Sequence, residues 1–349
     1  LKTEPLALAA SSGLRVATGQ DSSLASPLDL RWLGFSYLAF RLLHALRDYQ
    51  AGKLPAYSLG EFITYAIFFP AYTAGPIDRS QHFIPELRGI QSDPQNIQSA
   101  APERSSFSAW LSKLGSPANP AVLEDLVAGC QRILWGVFKK FVLADSLALF
   151  ALNAQNASQA NSGLWLWVLL YAYALRIYFD FSGYTDIAIG LGRLMGFHLP
   201  ENFDRPYLKQ NLTAFWNSWH ITLAQWFRAY FFYPTTRALR TGPRKLPAWA
   251  VILIGQMGTM LLIGLWHGIT WNFIAWGAWH GIGLYVHNRW SEWIRPRQAE
   301  WANNRQLERT LQVGSWLLTF HFVVLGWVWF ALPDPSTALL VFQKLIAFR

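Results

Sequence analysis

The sequence predicts an all-α protein, a polytopic bundle of transmembrane helices with re-entrant and interfacial helices. Of its 349 residues, 52% are hydrophobic and only 14% are charged, whereas an ordinary soluble domain carries about 25% charged residues. No Asp, Glu, Lys or Arg occurs in Ser146–Leu175, Leu246–Asn288 or Thr310–Pro333. A spanning helix needs about 20 apolar residues, so these runs leave room for at least four spans. The composition therefore excludes a soluble globular protein.

The net charge of +9, from 29 Lys and Arg against 20 Asp and Glu, is typical of proteins that bind phosphate. Here the basic residues lie between long uncharged stretches, which is the pattern of cytoplasmic flanks of membrane spans. Four basic residues and no acidic one occur between Arg237 and Lys245, so this segment is predicted to be a cytoplasmic loop. We expect the lipid bilayer, and no nucleic acid, as a partner.

The predicted organisation is a polar N-terminal segment over 1–30, a transmembrane domain over 31–332 and a tail over 333–349. Within the domain, 78–120 is predicted to be a polar loop with interfacial helices. The chain begins at Leu1 without a signal-peptide pattern, so we expect the true N-terminus to lie upstream. The single Cys130 excludes an intrachain disulfide and a cysteine-based metal site.

The helical segments follow from apolar runs and their breaks. They are predicted, in order, at Trp32–Leu46, Leu59–Ile77, Val122–Leu152, Gly163–Phe181, Thr185–Leu199, Leu212–Tyr233, two spans within Leu246–Asn288, and Gln312–Leu332. The first holds Arg41 and His44, which favours a tilted or incomplete span. The second is broken by Pro70 and Pro76, and broken backbone at membrane depth needs protein or a wet cavity around it.

Three Trp-His pairs end at His220, His267 and His280. Ionisable side chains inside a bilayer cost free energy and are candidates for function. A neutral histidine can also simply bond to a neighbouring helix, and the glycines four residues apart around His267 and His280 are a common packing device. The clustering favours a site that handles protons. On one continuous helix, His267 and His280 would point about 140° apart, so no metal pair is predicted.

The acidic residues Asp180 and Asp186 can each be explained by a structural role. Asp180 follows Arg176 by four residues, so it either forms an ion pair along one helix face or shapes the site. Asp186 and Arg193 are expected to pair with each other. Serine-hydrolase, zincin and P-loop chemistry lack their motifs. The remaining enzymatic option is a histidine that acts as a general base on a hydroxyl group.

Five runs of the sequence resemble a known family. They are Phe68–Arg79, ending Ala-Gly-Pro-Ile-Asp-Arg; Tyr178–Phe197; Leu199–Phe203; Phe215–Leu223, containing Trp-His-Ile-Thr-Leu; and Gly264–Gly268, Gly-Leu-Trp-His-Gly. In this order they resemble the membrane-bound O-acyltransferases (MBOAT), in the bacterial branch that includes alginate O-acetyltransferases and the D-alanyl transfer protein of teichoic acid.

The resemblance implies the roles of the residues. His267 falls at the catalytic histidine of these enzymes, and His220 at their second motif histidine. Beside them, residues expected to bind substrate or shape the site are Trp216, Asn217, Trp219, Trp266 and Asp180. His280 matches no catalytic position and is interpreted as structural.

The family further implies an enzyme of the bacterial inner membrane with no bound cofactor or metal. The donor would be acyl-CoA, such as acetyl-CoA, or an acyl-carrier thioester. The acceptor would be a cell-surface polysaccharide or a carrier, with an extracytoplasmic esterase-like protein as a further partner.

Two departures leave the acceptor open. The acetyltransferase branch usually reads Arg-Arg where this chain has Asn217-Ser218, and Arg-Asp-Tyr where it has Arg228-Ala229-Tyr230. Three alternatives therefore remain: D-alanyl or other acyl transfer to a polymer or lipid, a histidine-lined transporter, and a non-catalytic scaffold that recruits the esterase-like partner.

Overall fold

The computed structural model describes residues 4–26, 34–54, 56–91, 120–242, 246–302 and 304–347. Several predicted features lie partly outside these ranges. They are the loop at 78–120 beyond residue 91, Trp32 at the start of the first predicted span, the end of the basic segment at 243–245, and residues 348–349 of the tail. The interfacial helices predicted within 92–119 therefore stay a prediction.

Helices dominate the described residues. They are α1 Glu4–Ala17, α2 Phe35–Gln50, α3 Leu59–Ala66, α4 Phe69–Tyr72, α5 Ser80–Gln91, α6 Pro120–Val137, α7 Asp145–Ala148, α8 Ala154–Gln159, α9 Gly163–Leu194, α10 Leu212–Trp216, α11 Ile221–Phe227, α12 Tyr233–Thr241, α13 Ala248–His267, α14 Trp271–Ala302, α15 Arg305–Ala331 and α16 Pro335–Ala347. Short π-helical segments occupy Phe138–Ala144 and Arg228–Phe232. The predicted all-α fold is confirmed.

Three helices in the described part of the chain, α9, α13 and α15, are long and apolar enough to cross a membrane. The single helix α9 of 32 residues joins the segment predicted at Gly163–Phe181 to the first ten residues of the one predicted separately at Thr185–Leu199 and ends at Leu194. Such a helix is about 48 Å long, more than the hydrocarbon thickness of about 30 Å. Helix α14 is uncharged in its first half, but its histidine, asparagine and tryptophan residues lower its hydropathy.

The chain divides into two compact units. The described residues of Ser36–Ala151 and Val168–Tyr230 form the central unit. Those of Leu1–Phe35, Leu152–Trp167 and Phe231–Arg349 form the C-terminal unit. The predicted domain limits at 31 and 332 stay predictions.

Within the central unit, α6 and α9 pack through pairs of glycines. A Cβ added at Gly183 would lie 2.7 Å from the Gly136 carbonyl oxygen, and one at Gly190 would lie 2.7 Å from that of Gly129. Both helices advance by seven residues between the two contacts, in opposite directions, so they run antiparallel. Glycines at such crossings let two backbones approach more closely than any side chain allows.

Ion pairs reinforce the same two helices. Asp186 accepts from Arg132 Nε and from Lys139 Nζ, both at 2.6 Å. Arg132 also bonds to Glu201. The predicted pairing of Asp186 with Arg193 is therefore wrong. The prediction relied on proximity along the chain, whereas the cations that bond to Asp186 lie about 50 residues earlier, in α6 and the π-helical segment that follows it.

The core of the central unit also contains an aromatic cluster built from distant segments. Phe83 of α5 stacks on Phe197 with ring centroids 4.6 Å apart, and Phe68 contacts both rings at 4.9 and 4.7 Å. Phe83 is 1% exposed. Two of the five matching runs, ending at Arg79 and Phe197, are thus held against each other by buried rings.

In the C-terminal unit, α13 and α14 form a tight antiparallel hairpin. A Cβ at Gly277 would lie 2.6 Å from the Met260 carbonyl oxygen, and one at Gly264 would collide with the Phe273 carbonyl oxygen. The repeated Gly-x-Trp-His-Gly element therefore supplies the contact surface of the hairpin. This is the packing role that small residues four apart play in membrane helices.

Candidate active site

His220 lies in the central unit, at the junction between α10 and α11. Its backbone is in the left-handed region, with φ 47° and ψ 54°, which is uncommon and strained for a residue other than glycine. A right-handed helix cannot continue through such a residue. The single helix predicted over Leu212–Tyr233 is therefore wrong, and the break places His220 at the N-terminal end of α11.

A short backbone pairing holds this turn. The Asp204 amide donates to the Ser218 carbonyl oxygen and the Ile221 amide donates to the Asn202 carbonyl oxygen, both at 3.0 Å. Phe203 pairs with Trp219 in an isolated antiparallel bridge between these bonds. Strained backbone persists where its surroundings fix it from several sides.

The Asn202 side chain fixes the turn from its far end. Asn202 is fully buried, and its Oδ1 accepts from the Thr222 amide at 3.1 Å and from Thr222 Oγ1 at 2.9 Å. The Ile77 amide donates in turn to Thr222 Oγ1 at 3.0 Å. Segments far apart in the sequence therefore meet two residues after His220.

The His220 side chain is buried beside a cluster of aromatic rings. It is 2% exposed, and its ring stands perpendicular to that of Phe181 at 4.7 Å. Phe203 contacts both Phe181 and Trp219 edge-on, at 5.1 and 5.2 Å. Four of the five matching runs thus converge around His220, which explains in packing terms why they occur together.

The other predicted residues of this unit divide into buried and exposed ones. Trp216 and Trp219 are buried, at 6% and 5% exposure. Asn217 is exposed and accepts a hydrogen bond from Arg228 Nη2, so the first departure from the acetyltransferase pattern contacts the residue that precedes the second, Ala229. Asp180 is half-exposed and pairs with Lys140 at 2.5 Å. The ion pair suggested between Asp180 and Arg176 is therefore replaced by one between two helices.

His267 belongs to the C-terminal unit and is the last residue of α13. Its partly buried ring lies among four aromatic rings, with centroid distances of 4.6 Å to Trp266, 4.9 Å to Phe330, 5.5 Å to Trp276 and 6.0 Å to Phe273. The chain leaves the helix directly after it, at the extended Gly268. The imidazole thus lies at the end of a helix, among apolar aromatic rings.

His280 lies on α14, a different helix from the one that ends at His267. The chain turns between the two histidines, as the two helices predicted within Leu246–Asn288 require, so the angle calculated for one continuous helix does not apply. His280 is fully buried and packs on Trp276 at 5.0 Å. A Cβ at Gly326 of α15 would lie 2.8 Å from its Nε2. These contacts agree with the structural interpretation of His280.

Sequence reasoning missed a buried polar cluster in the central unit. Its members are His44, Asp48 and Asp78, which are 0%, 8% and 5% exposed, together with Tyr65 and Tyr230. The sequence does contain one indication of this cluster, because His44 is an ionisable residue in an apolar helix. Asp78 stands in the first of the five matching runs. Among the described residues, no group of three or more His, Cys, Asp and Glu is placed to hold a metal ion.

The family model for MBOAT, the membrane-bound O-acyltransferase family, matches residues 20–331 of this chain. The chain is 30% identical to the probable alginate O-acetylase of Pseudomonas aeruginosa over 318 residues, which are 90% of this chain and 52% of that protein. It is 33% identical to the teichoic acid D-alanyltransferase of Streptococcus thermophilus over 265 residues, 75% of this chain and 58% of that protein.

A third relative is the peptidoglycan O-acetyltransferase of Helicobacter pylori, 31% identical over 297 residues, 84% of this chain and 48% of that protein. The chain spans about half the length of these curated relatives. The family match covers the three candidate spanning helices completely, together with both motif histidines. This protein is therefore a membrane protein that belongs to the membrane-bound O-acyltransferase family.

Proposed function

We propose that this protein is a membrane-embedded O-acyltransferase of the bacterial inner membrane. It moves an acetyl or similar short acyl group from a thioester donor, acyl-CoA or an acyl carrier, to hydroxyl groups of a cell-surface polysaccharide. His267 acts as the general base and His220 as a second residue that positions a substrate. No bound cofactor or metal is required by this chemistry.

The observation that carries the proposal is the placement of His267. It ends a helix that is long and apolar enough to cross a membrane, and four aromatic rings surround it. A hydroxyl group is a poor nucleophile at neutral pH, and histidine is the side chain that exchanges protons most readily there. Apolar walls around such a base exclude the water that would hydrolyse a thioester.

The reaction balances without a further reactant. The His267 imidazole takes the proton of the acceptor hydroxyl as its oxygen attacks the thioester carbonyl carbon. The carbon–sulfur bond then breaks, and the departing thiolate takes the proton from the imidazolium. An ester and a free thiol result. The names of the three relatives support this reaction class, since two are O-acetylating proteins and one is a D-alanyltransferase.

Mass spectrometry of the extracellular polysaccharide tests the proposal and identifies the acyl group with its acceptor. We expect cells carrying His267→Ala to make membrane-inserted protein but a polymer without O-acyl groups. The matched control is His287→Gln, on the helix α14 that packs on α13, which should leave acylation unchanged. Normal acylation by His267→Ala at equal expression would contradict the catalytic role and favour the non-catalytic scaffold.

D-alanyl transfer is the second candidate, because the Streptococcus thermophilus relative is as similar as the acetylases. The same mass spectra distinguish the two by the mass and nitrogen content of the lost group. The transporter alternative predicts histidine-dependent solute flux into proteoliposomes without any acyl donor, which an acyltransferase would not show.

A further inference from the structure

The first of the five matching runs ends in a turn whose backbone is held by buried side chains. The Ile77 amide donates to Thr222 Oγ1 at 3.0 Å. The Tyr65 hydroxyl, on a side chain that is 1% exposed, donates to the Asp78 carbonyl oxygen at 2.8 Å. Each of these bonds joins the turn to a different helix of the central unit.

The next two residues of the turn are held in the same way. The Arg79 amide donates to the Asp78 carboxylate at 2.8 Å, and the Ser80 amide donates to Nε2 of the fully buried His44 at 3.3 Å. Four consecutive residues thus have a backbone group bonded to a side chain. The turn is rigid, and the Arg79 side chain is the part of it that points to the exterior.

The Arg79 side chain lies on an aromatic platform. It is exposed, and its Cζ lies 5.6 Å from the centroid of the Tyr230 ring. The Tyr230 hydroxyl donates to Asp48 Oδ2 at 2.9 Å, so the platform itself is fixed to α2. A guanidinium that stacks on an aromatic ring keeps its planar edge free for a ligand.

The carboxylates around Arg79 already have other partners. Asp78 accepts from His82 Nδ1 at 3.0 Å, and this bond raises the pKa of His82 to about 9. Asp48 accepts from Gln81 Nε2 at 2.5 Å as well as from Tyr230. Arg79 forms no ion pair with any carboxylate in the described ranges. Within the described part of the chain the Arg79 guanidinium therefore has no ion-pair partner, and it lies at an exposed position on a turn held by several hydrogen bonds.

We propose that Arg79, stacked on Tyr230, is a binding subsite for the phosphate group of a ligand. A guanidinium offers two parallel N–H groups that match two phosphate oxygens, and a preorganised one loses little conformational entropy on binding. Thr222 bonds to the same turn and follows His220 by two residues, so the subsite and the His220 turn belong to one bonded arrangement.

Two kinds of ligand carry this group. Coenzyme A and phosphopantetheine carriers bear phosphate esters, and if the proposed function holds, the donor thioester is the ligand. Phospholipid headgroups also bear a phosphate ester. Comparing coenzyme A with pantetheine tests the contact with phosphate, and comparing coenzyme A with phosphatidylglycerol distinguishes the two sources; neither measurement depends on acyl transfer.

Binding of coenzyme A and of pantetheine, which lacks phosphate, is measured by calorimetry on the full chain in phosphatidylcholine nanodiscs. We expect Arg79→Gln to weaken coenzyme A binding about tenfold or more, as for the loss of one charged hydrogen-bonded pair. Pantetheine binding should not change, and Arg79→Lys should recover part of the affinity. The control is Arg47→Gln, which removes another exposed arginine of the same unit.

The second arm compares the retention of phosphatidylglycerol by the native protein and by Arg79→Gln, measured by mass spectrometry. Loss of retention with unchanged coenzyme A binding would support the subsite with a lipid headgroup as its ligand. The proposal would be overturned if Arg79→Gln bound coenzyme A and phosphatidylglycerol as well as the native protein does. It would also be overturned if Arg79→Gln lost as much affinity for pantetheine as for coenzyme A. A thermal unfolding midpoint near that of the native protein confirms that each variant is folded. A positive result stands even if His267→Ala retains acylation.

Discussion

At the scale of single residues, His220 combines a buried imidazole with a left-handed backbone. The two features occur at one turn, since the left-handed residue directly precedes α11 and its ring packs on Phe181. A glycine would adopt this backbone without strain but would supply no imidazole. Retaining histidine at this position costs about 1–2 kcal/mol of backbone strain. The hydrogen bonds that Asn202 accepts from the Ile221 and Thr222 amides offset that strain.

This strain predicts an unusual order of stability. Both His220→Gly and His220→Ala remove the imidazole, but only alanine keeps the strained Cβ. We expect the glycine variant to be more stable by about 1 kcal/mol, measured as free energy of unfolding in detergent. At Thr213, an exposed position inside α10, the order should reverse, because glycine in a helix is less favourable than alanine. If the alanine variant were the more stable one at both positions, His220 would carry no backbone strain.

At the scale of helices, the α6–α9 pair depends on close approach at Gly136 and Gly183. The π-helical segment that follows α6 contains Lys139 and Lys140, adjacent residues that nevertheless both bond to α9, at Asp186 and Asp180. The ion pairs and the glycine contacts therefore fix the same crossing. Since α9 also carries Phe181, this crossing positions the ring that packs on His220.

Gly183→Ala tests the crossing. Its Cβ would lie 2.7 Å from the Gly136 carbonyl oxygen and 2.8 Å from the Lys140 amide nitrogen, and backbone atoms cannot rotate away. We expect a loss of about 1–3 kcal/mol in the free energy of unfolding. Gly89→Ala in α5 is the control, because its added Cβ meets no atom within 4 Å, and it should raise stability slightly. A Gly183→Ala variant as stable as Gly89→Ala would contradict the tight crossing.

Helices and contacts were not equally predictable from the sequence. The uncharged runs predict α9, α13 and α15 because a bilayer demands long apolar segments. The break at His220 leaves no trace in hydropathy, since it depends on backbone pairing with Phe203. The partners of Asp180 and Asp186 were missed for a related reason: spacing along one helix suggests cations nearby in the chain, and the actual cations lie on another helix.

At the scale of the whole molecule, the sequence predicts a membrane protein and the family, while the placement of its polar groups needs coordinates. Tyr230 and Asp48 are far apart in the chain, and only the fold brings them within 2.9 Å. His267 was identified by its motif alone, but its aromatic surroundings come from three different helices. The orientation of the protein in the membrane is a property of the whole molecule that its charge distribution predicts.

The basic residues at the end of α12 predict that orientation. By the positive-inside rule, Arg237 and Arg240 lie on the cytoplasmic side. We therefore expect α13 to cross the membrane and to carry His267, together with the 61% exposed Ile269, to the outer side. In this orientation the proposed base at the outer end of α13 would face the proposed acceptor polymer outside the cell, and the proposed thioester donor would reach it from the cytoplasm.

Labelling of single cysteines checks this orientation. The exposed Cys130 is first replaced by serine, and cysteine is then introduced by Ile269→Cys or Arg240→Cys. In intact spheroplasts, we expect a membrane-impermeant maleimide to label the Ile269→Cys protein, and to label the Arg240→Cys protein only after the membrane is opened. The two sites flank one helix, so each is the control for the other. Labelling of both in intact spheroplasts would show that α13 does not cross, whereas the reverse pattern would place His267 on the cytoplasmic side and require the acceptor to reach it there.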